Sequence, residues 1–158
     1  MASLIYNNAL WFQAKGAIDF DTDTFKVMLL TSSYTANKDT DNFLNDVEAN
    51  QVTGTGYTAG GATATVTVSA IDTTNDRIEV ALGAVSWPTS TITARYAVYY
   101  KSRGGASSAD ELVALVDFGS NIASAGGTFS LSASTIRDRK STRLISSHLA
   151  VSRMPSSA

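Results

Sequence analysis

Acidic side chains are the groups in this chain most capable of chemistry. Asp19, Asp21 and Asp23 alternate, and on an extended strand a two-residue period would place all three carboxylates on one face as a weak candidate Ca²⁺ site. The calcium-loop pattern is not met, because Thr24 stands where Gly is needed for the sharp turn and Leu30 where a bidentate Glu is needed. A solvated edge whose like charges discourage strand pairing accounts for the same alternation. Asp39, Asp41 and Asp46 form a second acidic group, but no spacing argument pairs two of them as acid and base. The chain has no cysteine, its only histidine is His148, and neither H-E-x-x-H nor G-x-S-x-G occurs. Nucleophile–base chemistry therefore lacks its usual residues, and the expectation is a protein that is not an enzyme and needs no cofactor.

Two further patterns bear on binding. The glycine-rich run at residues 54–61 (GTGYTAGG) lacks the Lys-Ser/Thr ending of a phosphate loop and no helical pattern follows it. Its glycines are expected to permit positive φ and close backbone contact. Trp87, Tyr57, Tyr96, Tyr99 and Tyr100 are candidates for a sugar-stacking face, although alternate tyrosines on a strand also suit half-buried sheet positions.

Charge divides unevenly along the chain. Residues 1–137 hold eight Lys or Arg against thirteen Asp or Glu, a formal −5, while residues 138–158 hold four against one, +3; together they give −2. An acidic body without a basic stripe argues against nucleic-acid binding. No apolar run approaches the ~18 residues of a membrane span, and residues 1–5 are too short and uncharged for a signal peptide, so no membrane association is expected.

The elements that must position these residues read as follows. Residues 4–15 are expected to form one helix, with Ile5, Ala9 and Phe12 on one face, Leu4 and Trp11 together on another, and Gly16 as the stop. Beyond it the chain is rich in Thr, Val, Ile and aromatics, with strands expected at 25–30, 64–68, 77–81, 85–87, 94–100, 112–118 and 128–132. Pro88 is expected to stop the 85–87 strand from continuing as a central one. Residues 25–30 are nearly all apolar after Lys26 and should be buried on both faces. Between Ser32 and Thr63 lies a long excursion with a short strand at 50–53 and a helical turn at 40–48 that points Phe43, Leu44 and Val47 inward from a Thr40 or Asp41 cap. The fold class is all-β: a single antiparallel β-sandwich or jelly-roll-like domain over residues 1–137 with a short N-terminal helix.

Residues 138–158 differ from everything before them. The run DRKSTRL at 138–144 resembles the conceptual translation of a sequencing adapter, Ile145 departs from that match where Asn would stand, and SRMPSSA at 152–158 resembles the adapter's far side. This segment, with His148, is expected to be non-native and disordered.

In the body, four segments in order, IDFDTDTFKVMLLTSSYT, VTGTGYTAGG, TARYAVYY and LVALVDFG, resemble a family of small virion structural proteins of tailed bacteriophages. The resemblance spans roughly residues 4–131. Members of that family end on a strand with a large aromatic and a glycine, whereas Ala133-Ser134-Thr135-Ile136 stands here, so the native end is expected to be truncated or altered. The resemblance implies a virion location and a capsid-decoration or head-fibre-base role, with the major capsid protein or other virion proteins as partners. A homo-oligomer, best a trimer, suits such a role, since avidity lets many weak copies brace a shell. The alternative is a tail, baseplate or fibre-associated module that binds host glycans. Candidate interface residues are Leu4, Trp11, Phe43 and Tyr57, with the loops at 32–50 and 102–110.

Overall fold

A computed structural model describes residues 3–137; His148 and the expected disorder of 138–158 lie outside the described residues. The body is all-β, with two antiparallel sheets and one short N-terminal α-helix. In chain order the elements are β1 (Leu4–Ile5), α1 (Asn7–Ala14), β2 (Phe25–Leu30), β3 (Ala62–Ala64), β4 (Val66–Val68), β5 (Glu79–Leu82), β6 (Val85–Lys101), β7 (Leu112–Leu131) and β8 (Ser134–Arg137). The larger sheet runs β1-β7-β6-β2-β3 and the smaller β4-β5-β8.

The helix is shorter than the periodicity predicts. Leu4 and Ile5 pair with Leu115 and Ala114 of β7, and the Tyr6 amide donates to the Val113 carbonyl, so these residues are extended. Tyr6 occupies the N-cap position with β-region backbone and is completely buried. Sheet pairing and burial of a large ring outweigh the weak helical preference of three residues. Leu4 and Trp11 consequently do not share a helix face.

Strand β2 sits between β6 and β3 and is buried on both faces, as its apolar run predicts. Phe25, Val27 and Leu29 point into one core with Val80, Leu82, Trp87, Tyr99 and Phe129, beneath the smaller sheet and α1. Met28 and Leu30 point into a second core with Tyr6, Tyr34, Leu44, Val47, Tyr96 and Tyr100. The excursion supplies much of this second layer. Short 3₁₀ turns at Leu44–Asp46 and Glu48–Asn50 replace the predicted helical turn, with Leu44 and Val47 buried as expected and Phe43 half-buried. Neither Thr40 nor Asp41 caps it; the Asp46 carboxylate instead accepts from the Asn42 and Phe43 amides at 2.8 and 2.9 Å.

The later strands join where turn signals predicted breaks. Expected strands 85–87 and 94–100 are one strand, β6, because Pro88 falls at an irregularity between Trp87 and Ser90 with Thr89 at φ +50°. A bulge tolerates the missing amide that a regular ladder would not. Likewise β7 absorbs 112–118 and all of 128–132 except Ser132. In contrast, the run 64–68 divides: Ala64 belongs to the large sheet and Val66 to the small one. The chain turns this corner at Thr65, whose carbonyl accepts from the Gly83 amide at 2.7 Å.

Glycine is required where the 54–61 loop lies on β2. Gly61 has φ +74°, and a Cβ there would stand 1.7 Å from the Val27 carbonyl oxygen. Gly61→Ala is expected to destabilise the fold by about 3 kcal/mol or more, through left-handed strain plus backbone displacement. Gly105→Ala, with nothing within 4 Å of the added atom, should be near neutral; urea denaturation of both variants is the check.

Candidate interaction surface

Most of the acidic residues expected to do chemistry are engaged in holding the fold. Residues 19–23 form a turn, not a strand, so the three carboxylates are not aligned on one face. Asp19 accepts the Asp21 amide at 2.9 Å, which holds its carboxyl below the usual carboxylate range. Asp23 accepts the Asp19 amide and lies 2.7 Å from Lys101 Nζ. Among the described residues no group of three or more acidic or histidine side chains is placed to hold a metal ion. Asp39 accepts from the Asn7 amide side chain, Asp41 from Tyr34 and the Asn37 amide, and Asp46 from the two amides above. Asp41 and Asp46 therefore cap nearby backbone amides, and Asp39 ties the excursion to the start of α1.

The 102–110 loop is anchored by charge. Glu111 is buried and receives the Arg103 guanidinium as a fork, Nε at 3.2 and 3.1 Å and one terminal nitrogen at 2.5 Å. Arg103 also donates to the Ala17 carbonyl, as Lys101 Nζ does at 2.7 Å, and its own amide donates to buried Asp110 at 2.7 Å. This cluster ties the turn after α1 to the base of the β6–β7 hairpin. Opposite-charge pairing, with the guanidinium partly in water, offsets the cost of burying the carboxylates.

The aromatic platform expected for sugar stacking is absent from the surface. Trp87, Tyr96, Tyr99 and Tyr100 are all buried, and Tyr57 is half-buried beside Trp87 at 6.0 Å between ring centroids. The Tyr57 hydroxyl accepts from the Leu29 amide at 3.0 Å and from Gln51 Nε2 at 3.1 Å, which makes it a support for the edge of β2. Phe43 is likewise structural, its ring 5.3 Å from Phe12 and its backbone bridged to Glu111. Leu4 is half-buried against the second core and lines an open cleft of 540 Å³ between β1 and β8.

Of the four candidate interface side chains, Leu4, Trp11, Phe43 and Tyr57, Trp11 is the one that faces solvent. It is 54% exposed, with Leu10 beside it at 63% and Lys15 Nζ 5.6 Å from its ring centroid. Sequence periodicity missed Leu10, because the helix buries only Ala9 and Phe12 and leaves its apolar remainder outside. Leu10 lines a second cleft, of 200 Å³, with Ile78 and Ile136 of the smaller-sheet side and Ile5. An apolar helix flank and an adjoining apolar cleft thus form one patch. No family model, no curated protein and no solved structure matches the chain.

Burial raises the phenols of Tyr6, Tyr34 and Tyr100 far above the usual tyrosine range, with the Asp41 carboxylate adding to it at Tyr34 and the Asp110 charge at Tyr100. Burial alone pushes Tyr99 up to about 12. An unfolded tyrosine loses its proton near pH ~10, so above that value the folded chain binds more protons than the unfolded one. Stability is therefore full below pH ~10 and falls as pH rises further. Alkaline titration by ultraviolet absorbance should show phenolate appearing mainly with loss of circular dichroism, not in a separate transition near pH ~10.

Proposed function

We propose that this protein is a virion structural component that binds the assembled head of a tailed bacteriophage as a decoration or head-fibre-base module. The four resembling segments support the reading by their place in the fold. They supply β2, the loop that lies on its edge, the inner part of β6 and the start of β7, so the resemblance concerns the core that any such relative would have to share. The observation that carries the contact is the exposed Leu10–Trp11 pair beside its apolar cleft, since exposed apolar patches of this kind mark protein-binding surfaces. The partner this reading assigns is the major capsid protein, whose repeating surface allows many weak contacts to act together.

The glycan-binding alternative finds less support, because its rings lie inside the cores. A catalytic role finds less support still, because Asp46, Glu111 and Asp23 are occupied as caps and ion-pair partners.

Co-sedimentation of the full chain with purified heads, and separately with tails, of the phage that carries its gene tests this. Saturable binding to heads is expected, weakened about tenfold or more by Trp11→Ala and by Leu10→Ala. Binding to tails alone, or to neither, overturns the head reading.

A further inference from the structure

The outer edge of β7 is unusual in what it lacks. From Phe118 to Ile136 the sequence carries no charged residue, between Asp117 and Arg137. β1 with its neighbours Ser3 and Tyr6 covers β7 from Val113 to Asp117, and no other described strand pairs with its outer side beyond that point. Residues 119–123 and 125–128 are exposed, with Ile122 at 44%. Natural sheets guard such an edge with lysine, proline or inward-pointing charge, and none of these occurs on this stretch. The existing irregularities, at Gly126 and around Gly119, bend the strand but leave Ile122–Ala125 in regular register with β6, Ile122 opposite Ala94 and Ala125 opposite Thr91.

We propose that this edge pairs antiparallel with the same edge of a second copy, joining two larger sheets across a two-fold axis near Ile122 and Ala123. Three features favour a second copy as the occupant. Antiparallel pairing of a strand with itself is isologous and closes at two, each copy supplying the donors its mate needs. Elsewhere the body is net acidic and would repel its own kind, whereas this edge brings no like charges together. Its side chains are Gly, Ala, Ser, Asn and Ile, small enough that neither face of the joined sheet is obstructed, and the two exposed Ile122 side chains become neighbours. The number of copies is two, in place of the trimer expected from sequence. The contact is short, so association is weak and concentration-dependent. It stands independently of the virion assignment.

Sedimentation velocity of the full chain over two decades of concentration tests the pairing, alongside Ile122→Lys and Ala123→Lys. The wild type is expected to move from monomer to dimer as concentration rises, and both variants, with unchanged circular dichroism, to remain monomeric. Should a variant misfold, hydrogen exchange of the wild type at low and high concentration replaces it, with amides among residues 122–125 expected to gain protection only at high concentration. A monomer throughout, a dimer indifferent to both lysines, a trimer, or protection confined to another surface overturns the proposal.

Discussion

Strand β2 imposes the constraint from which most of the architecture follows. Its apolar side chains point both ways, Phe25, Val27 and Leu29 to one side and Met28 and Leu30 to the other, so a layer must cover each face. Fully burying each such side chain contributes about 1.5–3 kcal/mol, and leaving either face wet would forfeit that. The smaller sheet and α1 cover one side; the excursion after Thr31, with Tyr6 and Tyr34, covers the other. The backbone meets the same demand. Where β3 ends at its pairing with Val27, the Val52 amide, the Asn50 carbonyl and the Tyr57 hydroxyl take over along the β2 edge and its exit, which leaves those buried groups satisfied.

The polar side chains are arranged around this need. Tyr6, Tyr34 and Asp41 form a chain of hydrogen bonds, 2.9 and 2.6 Å, that pins the excursion over the second core. Arg103, Glu111, Lys101 and Asp23 pin the turn before β2 to the hairpin after it. Several acidic groups that composition singled out are thereby drawn into the architecture. Two outward surfaces are apolar or uncharged within an otherwise acidic exterior: the Leu10–Trp11 flank and the edge of β7. Surfaces of that character suit association with other protein surfaces, and the functional reading rests on this division of labour.

Much of the fold was legible in the sequence because period and composition are local signals. The two-sided burial of β2 follows from its unbroken apolar run, and the structural role of the 54–61 glycines from their missing phosphate-loop ending. The misreadings share a physical origin in long-range pairing. Leu4 and Ile5 fit a helix until β7 offers them a ladder, and Pro88 ends a strand until a bulge accommodates it. Thr65 looked like one residue of an alternating strand, yet it is the corner at which the chain changes sheets. At the candidate surface, Trp11 was legible as an exposed aromatic, but Leu10 was not, since helix periodicity alone does not reveal which apolar side will find a partner within the fold. Phe43 and Tyr57 were drawn inward by contacts distant in sequence, with Phe12 and Leu29.

Native-state hydrogen exchange measures the central claim most directly, because it ranks the elements by the free energy needed to open them. If two-sided burial of β2 governs the fold, the amides of β2 and of the facing part of β6, Tyr96–Lys101, exchange slowest and only through global unfolding, while β4, β5 and β8 open earlier. Slowest exchange in the smaller sheet, or early opening of β2 with the rest of the body intact, would contradict the account.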